Sequence, residues 1–327
     1  MLLYSTLAIL GGFALLVWGA DRFVAGASAT ARNLGVSPLI IGLTIVGFGT
    51  SAPEMLVSAV AAWQGNPAMG IGNALGSNIT NIALVLGATA LIAPMMVHSQ
   101  TLKREFPVLL GIMAVVLLLL LNGQLGRIDG VLLMLGTLLL MGWMVRLGLK
   151  ERNGDPLENE YTAEIPAQMS TPRALLWLAL GGILLLASSR VLVWGAINIA
   201  EWFGVSDLII GLTIIAIGTS LPELAASIIS ALKGEHDIAI GNVLGSNMFN
   251  LLAVLAMPGL IAPSLLDPAV LRRDFLVMAV LTVVLLVMSY GLRGPGRINR
   301  VEGGLLLLAY FAYLGLLYHD SLIAGGA

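Results

Sequence analysis

The sequence contains no cysteine, and only 10% of its 327 residues are charged. Without cysteine the chain can form neither a disulfide nor a thiolate metal site. A net charge of −2 and the lack of a basic run argue against nucleic acid as a partner. Because charged residues make up about a quarter of an average soluble protein, a chain with 58% hydrophobic residues and a mean hydropathy of +0.97 is not an ordinary soluble domain.

Apolar stretches of about twenty residues recur along the chain, and each is long enough to cross a hydrocarbon core as a helix. Backbone groups in lipid must be satisfied within the segment, which favours helices over other structures. We therefore expect an all-α integral membrane protein, in contact with the lipid bilayer, with ten spans. They cover roughly residues 2–20, 36–62, 69–93, 106–122, 128–149, 174–195, 205–232, 238–262, 274–292 and 303–319.

One polar stretch, Lys150–Arg173, divides the spans into two groups of five. We interpret residues 1–149 as a first five-helix repeat, 150–173 as a cytoplasmic linker and 174–327 as a second repeat. Twelve of the sixteen Lys and Arg residues fall in loops on one side. The positive-inside rule makes that side cytoplasmic, so both termini are expected outside.

The two groups repeat each other. Gly42–Glu54 recurs as Gly211–Glu223, and Ile71–Asn81 recurs as Ile240–Asn250, both at an offset of 169 residues. Since five helices is an odd number, the second copy must cross the membrane upside down relative to the first. Inverted repeats with broken helices at the core are the architecture of secondary transporters, whose sites lie where the halves meet.

Glu54 and Glu223 are the acids that fall deep inside the predicted spans. A charge at the centre of a membrane helix costs about 2.5–3.5 kcal/mol on insertion scales, so two at symmetric positions indicate a functional role. Thr50, Ser51, Thr219 and Ser220 lie three or four residues before these carboxylates and share their helix face.

Pro53 and Pro222 remove a backbone N–H, which frees the carbonyls of Gly49 and Gly218 and favours a break in each helix. Polar residues also recur every four positions in the second motif: Asn73, Ser77 and Asn81, and again Asn242, Ser246 and Asn250. Glycines between them, among them Gly76 and Gly245, are expected to allow close helix packing. Such an all-oxygen ligand set suits calcium or sodium rather than zinc or copper.

Two carboxylates supply two negative charges, which balance one Ca²⁺. An empty site of low dielectric would hold protons on these carboxylates, so protons should compete with the metal. We expect no cofactor besides the transported ions, and no obligatory protein partner.

The doubled pattern GxGTSxPE and GNxxGSNxxN resembles the α-repeats of the calcium:cation antiporter superfamily, above all its bacterial calcium/sodium antiporter branch. The resemblance implies a ten-helix exchanger that works by alternating access. It implies that Glu54 and Glu223 are central ligands and that Thr50 and Thr219 give backbone oxygens to calcium. It further implies that sodium sites are lined by Ser51, Ser220, Ser77 and Ser246, with the carbonyls of Gly47 and Ala216.

Asn81 and Asn250 match the last polar position of each copy, where some relatives in the superfamily have Asp at one place. Two Asn leave the pocket with one less negative charge, so a potassium requirement does not follow from the resemblance. A prokaryotic inner membrane is expected, because the chain has no long insertion for regulatory domains. The alternatives are a proton-coupled exchanger of another divalent cation, such as magnesium or manganese, and an intramembrane enzyme of the lipid phosphatase type. The second is disfavoured because neither motif pair contains the Arg or His that such chemistry needs.

Overall fold

A computed structural model describes residues 2–36, 38–97, 102–151, 169–202, 216–290 and 296–325, and these are mostly helical. Six helices among them are long and apolar enough to cross a membrane, and a pair bent by 43° would make a seventh span. The prediction of an all-helical membrane protein is therefore confirmed. Parts of the predicted linker and the first eleven residues of the predicted span 205–232 lie outside the described residues.

The first half consists of helices joined by tight turns, with short π-helical segments inserted. In chain order its elements are α1 (Leu2–Leu34), α2 (Pro38–Ile41), π1 (Gly42–Val46), α3 (Gly47–Thr50), α4 (Ala52–Trp63), α5 (Pro67–Thr80), π2 (Asn81–Leu86), α6 (Gly87–Ile92), β1 (Met95–Val97), α7 (Leu102–Leu120), β2 (Gln124–Leu125) and α8 (Arg127–Glu151).

The described elements of the second half follow the order of the first, with one further π-helical segment before α14. They are α9 (Thr171–Trp202), α10 (Ala216–Thr219), α11 (Leu221–Leu232), α12 (His236–Phe249), π3 (Asn250–Val254), α13 (Leu255–Ile261), β3 (Ser264–Leu265), π4 (Val270–Phe275), α14 (Leu276–Tyr290), β4 (Gly296–Ile298) and α15 (Arg300–Gly325). The segments π2 and π3 both begin at the asparagine that ends the repeated motif.

The helices α1 and α9 pack against each other along their length in antiparallel fashion. A side chain added at Gly26 would meet the Ala174 carbonyl oxygen at 2.8 Å, and one added at Gly195 would meet the Ser5 carbonyl oxygen at 2.7 Å. The two contacts are related by the 169-residue offset. Small residues therefore let the backbones approach closely, as in other membrane helix pairs.

Helix α1 is much longer than the predicted span 2–20, because the charges that suggested its end are satisfied by neighbouring groups. Lys233 Nζ lies 2.9 Å from Asp21 Oδ1. The guanidinium of Arg22 lies over the rings of Trp18 and Trp177, 5.7 and 5.2 Å from their centroids. The helix can therefore continue past both charges.

Two short antiparallel strand pairs join the halves. Strand β1 pairs with β4, with Met95 opposite Ile298, and β2 pairs with β3, with Leu125 opposite Ser264. Met95 and Ser264 are 169 residues apart, and Leu125 and Ile298 are 173 apart, the two offsets found in the sequence. Exchanging the halves thus reproduces the register of both pairs.

Candidate cation-binding site

The first repeated motif forms a helix that breaks at Ser51, between α3 and α4. Ser51 ends one helix and caps the next, its N–H donates to the Gly47 carbonyl at 3.1 Å, and the two pieces are bent by 43°. Pro53 stands in the first turn of α4, where its missing N–H is tolerated. The break predicted from Pro53 is therefore present, and it exposes backbone at the depth of Glu54.

The second copy breaks at the same place. Ser220 separates α10 from α11, and Pro222 stands in the first turn of α11. The Gly218 carbonyl, which Pro222 cannot use, accepts a hydrogen bond from Ser189 Oγ of α9 at 2.8 Å. The position equivalent to Ser189 in the first half is Ala20, which has no hydroxyl, so this contact exists on one side only.

Glu54 and Glu223 lie at the centre of the molecule, and each is at most 1% exposed. The two carboxylates are close enough for their charges to repel each other. Within the described residues, both oxygens of Glu54 and one oxygen of Glu223 are buried without a hydrogen-bond partner. The structure therefore brings the two predicted carboxylates together, as the inverted repeat requires.

Residues of one half contact the carboxylate of the other. The Thr50 hydroxyl of the first half lies beside Glu223, as does the hydroxyl of Ser246 from the second half. Thr50 Oγ1 is 3.1 Å from Asn242 Oδ1 and 3.3 Å from Ser246 Oγ. Thr219 lies beside Glu54 in the equivalent arrangement. Ser246 Oγ also donates to the Gly47 carbonyl at 3.2 Å, which crosses from the second half to the first.

An asparagine fixes each carboxylate-bearing helix. Asn73 Nδ2 donates to the Glu54 carbonyl at 3.0 Å and to Ser58 Oγ at 2.9 Å. Asn242 Nδ2 donates in the same way to the Glu223 carbonyl and to Ser227 Oγ.

The sequence comparison missed Ser58 and Ser227 because it ended each motif at the glutamate. Both serines are buried and stand at the 169-residue offset, four residues after their glutamates. Extending the alignment by four positions would have found them.

Several further buried polar atoms of the predicted set point to a ligand. Within the parts of the chain that the structure describes, the following have no hydrogen-bond partner: Ser51 Oγ, Ser220 Oγ, Asn81 Oδ1, Asn250 Oδ1 and Asn250 Nδ2. An unpaired buried polar group is costly, so their concentration around two carboxylates favours an ion as the missing partner.

A cavity of about 310 Å³ reaches the site from one side and includes Ser77, Thr219 and Asn73 among its lining residues. Gly72 and Gly76 of α5 also line it, and no described residue comes within 4 Å of a side chain added at either. No described residue therefore packs against these two glycines.

The equivalent helix of the second half is tightly packed. A side chain added at Gly245 would overlap the Leu43 carbonyl oxygen. Met69 of α5 is 48% exposed, whereas its counterpart Ile238 of α12 is fully buried. Among the described residues, α5 is thus less covered by neighbouring groups than α12.

The site offers two carboxylates surrounded by neutral oxygen donors. No group of three or more acidic or histidine side chains converges in the described part of the chain. Ala216, whose carbonyl belongs to the predicted set, is the first residue of α10. A chemistry of this kind suits a hard cation that takes oxygen ligands.

Known proteins resemble this chain over nearly its whole length. The family model described as "Sodium/calcium exchanger protein" matches residues 4–145 and 173–319. The protein CaxA of Alkalimonas amylolytica is 55% identical over 317 residues, covering 97% of this chain and 99% of CaxA. The inner membrane protein YrbG of Escherichia coli is 41% identical over 319 residues, covering 97% and 98%.

Solved structures show the same likeness. The sodium-calcium exchanger NCX_Mj, soaked with 10 mM Na⁺ and zero Ca²⁺, superposes with a TM-score of 0.83 at 32% sequence identity. The match covers 96% of this chain and 99% of that one. The fold is thus that of a membrane exchanger.

Proposed function

The chain belongs to the sodium/calcium exchanger protein family, a family of membrane antiporters and not of enzymes, and we propose that it exchanges Ca²⁺ for Na⁺ or H⁺ by alternating access. The observation that carries the proposal is the meeting of Glu54 and Glu223, one from each half, with unpaired buried oxygens around them. Two negative charges balance one Ca²⁺, two Na⁺ or two protons. Competition of these ions for the same pair of carboxylates is what would enforce exchange.

The proposed ligand set is the one that the sequence predicts. Its members lie near the helix breaks, on α5 and α12, or at the first residue of π2 and π3: Glu54, Glu223, Thr50, Thr219, Ser51, Ser220, Ser77, Ser246, Asn81, Asn250 and the carbonyls of Gly47 and Ala216. The carboxylates, serines and asparagines of this set are all buried, and six of its members have buried atoms without a hydrogen-bond partner among the described residues, which supports the assignment.

The proposed architecture is ten membrane helices in two inverted repeats, residues 1–149 and 174–327, joined by the linker 150–173. The symmetric register of the two strand pairs and the symmetric contacts between α1 and α9 support it. The unequal covering of α5 and α12 among the described residues is what one state of an alternating-access cycle would show. We place the chain in a prokaryotic inner membrane with both termini outside, as the positive-inside count indicates.

Reconstituted vesicles test the function. ⁴⁵Ca uptake should be driven by an outward sodium gradient or by an outward proton gradient, and the gradient that works identifies the counter-ion. Glu54→Gln and Glu223→Gln keep size and hydrogen-bonding atoms but remove a charge that the cation needs, so each should reduce uptake to background.

The matched control is Glu302→Gln. Glu302 Oε2 accepts a hydrogen bond from the Asn299 N–H at 2.7 Å, which an amide oxygen can also accept. This variant should transport like the unsubstituted chain. Normal uptake by both carboxylate variants would refute the assignment.

A further inference from the structure

The repeat contains two equivalent pairs of asparagines, each with one member in either half, but only one pair is hydrogen bonded. Asn81 Nδ2 donates to Asn247 Oδ1 at 3.1 Å. The 169-residue offset converts Asn81 into Asn250 and Asn247 into Asn78. Both side-chain atoms of Asn250 lack a hydrogen-bond partner among the described residues, so the second pair is unformed.

Asn78 is held only weakly where it stands. Its Nδ2 donates to Met278 Sδ at 3.3 Å, and its Oδ1 has no partner within the described chain. A thioether sulfur is a poor acceptor. Since all four asparagines are at most 1% exposed, water does not replace the missing hydrogen bond.

The unequal pairing accompanies the unequal access. On α5, Met69 is 48% exposed and no described residue comes within 4 Å of a side chain added at Gly76, whereas their counterparts Ile238 and Gly245 on α12 are packed. Two inverted copies of one unit can exchange conformations, so a contact made by one copy here is available to the other copy in the opposite state.

We propose that Asn247 and Asn78 are alternating hydrogen-bond partners that set the balance between the two access states. Asn247 binds Asn81 when the α5 side is open, as described here, and Asn78 binds Asn250 when the α12 side is open. The proposal rests on alternating access as proposed above. In this proposal Asn247 and Asn78 are positioning residues, which act through Asn81 and Asn250.

The absence of native cysteine permits a direct test on the purified full-length chain in detergent. Ile238→Cys reports the opposite state, because Ile238 is fully buried here. Met69→Cys is the matched reporter on the open side. Maleimide labelling rates are measured for each reporter alone and combined with Asn247→Ala or Asn78→Ala, without calcium or sodium.

Asn247→Ala should raise the labelling rate at Ile238→Cys, and Asn78→Ala should lower it, each by about fivefold, the effect of one net hydrogen bond on a two-state balance. If the asparagines had a purely structural role, both alanine variants would change the labelling rate at Ile238→Cys in the same direction. Shifts in one direction, or no shift in either, would overturn the proposal. Asn247→Leu and Asn78→Leu fill the vacated volume and should give the same opposite shifts if an alanine variant does not fold.

Transport separates this inference from the proposed function. If the unsubstituted chain moves no ⁴⁵Ca while the two labelling shifts remain opposite, the function is wrong and the asparagine switch stands. If calcium is exchanged but the shifts are not opposite, the switch alone is wrong.

Discussion

Glu54 shows at the scale of one residue why this site needs a cation. Its carboxylate is fully buried, and neither of its oxygens forms a hydrogen bond within the described residues, although the Thr219 hydroxyl lies beside it. Burying an ionised carboxylate without a partner is strongly unfavourable. A bound metal ion or a proton removes that cost, so an empty, doubly charged site is the least favourable condition of the molecule.

Ser58 should matter because it completes the hydrogen bonding of Asn73, which holds the Glu54 carbonyl. Ser58 Oγ also donates to the Gly70 carbonyl at 3.1 Å. We expect Ser58→Ala to lower the free energy of unfolding by about 1–3 kcal/mol and to raise the calcium concentration for half-maximal uptake. Thermal unfolding and ⁴⁵Ca uptake in vesicles measure the two effects.

Ser5→Ala is the control for that substitution. Ser5 is equally buried, but its hydroxyl has no hydrogen-bond partner in the described part of the chain. It should leave calcium uptake unchanged and should not lower the free energy of unfolding, because it removes an unpaired buried hydroxyl. Equal effects of the two substitutions would mean that the hydrogen bonds of Ser58 contribute nothing specific.

At the scale of elements, the turn between α11 and α12 is tied to α1. Ser28 Oγ donates to Glu235 Oε1 at 2.5 Å, and Lys233 Nζ contacts Asp21. The equivalent turn of the first half carries Asn66 in place of Glu235, and this side chain caps its own helix by accepting from the Met69 N–H at 3.2 Å. The turn that precedes α12 is therefore held to α1 by the contact of Lys233 with Asp21, whereas the side chain of Asn66 in the turn that precedes α5 caps α5 itself.

Glu235 should make stability depend on pH. Burial raises the pKa of this carboxyl, the Ser28 hydroxyl opposes that shift, Asp237 adds to it, and Arg32 and Lys233 oppose it. A carboxyl whose pKa is higher in the folded state binds protons more tightly there. Folding is therefore favoured as pH falls through the raised pKa towards the ordinary value.

Glu235→Gln should consequently raise the melting temperature at pH 8, because the amide needs no ionisation and can still accept from Ser28. The gain should shrink as pH is lowered and the native carboxyl becomes protonated. Melting curves of both chains between pH 8 and pH 5 provide the measurement. A variant that is less stable at pH 8 would contradict the expectation.

At the scale of the whole molecule, the two halves make equivalent contacts with each other, but the equivalent helices α5 and α12 are covered unequally by described residues. Several contacts are repeated when the two halves are interchanged. They are the two strand pairs, the contacts of α1 with α9 and the contacts of an asparagine with each glutamate backbone. The surroundings of α5 and α12 are not repeated in this way. If the halves exchange conformations as proposed, most of these contacts are kept, so the two states should have similar energy.

Gly76 and Gly245 should therefore respond oppositely to a methyl group. Gly76→Ala adds a methyl group at a place where no described residue lies within 4 Å. It should block the opposite access state, in which α5 would pack as tightly as α12 does in this structure. We expect calcium uptake to fall to background while Met69→Cys stays labelled. Gly245→Ala would overlap the Leu43 carbonyl, so it should disfavour the present state and raise labelling of Ile238→Cys. Equal labelling in both variants would contradict this.

The sequence by itself determined the membrane class, the family and the two carboxylates. Hydropathy follows from composition alone, so the membrane class needed no coordinates. A repeated motif is visible in the order of residues, so Glu54 and Glu223 could be identified as equivalent buried acids. The break at Ser51 was equally predictable, because the missing N–H of Pro53 is a local property.

Only the tertiary structure decided the rest, because it depends on contacts between residues far apart in the chain. The continuation of α1 past Asp21 depends on Lys233, more than two hundred residues away. The choice between Asn81–Asn247 and Asn78–Asn250 could not be read from a sequence in which the two pairs are equivalent. A repeat specifies both conformations of its halves equally, and the packing of α5 and α12 determines which half adopts which.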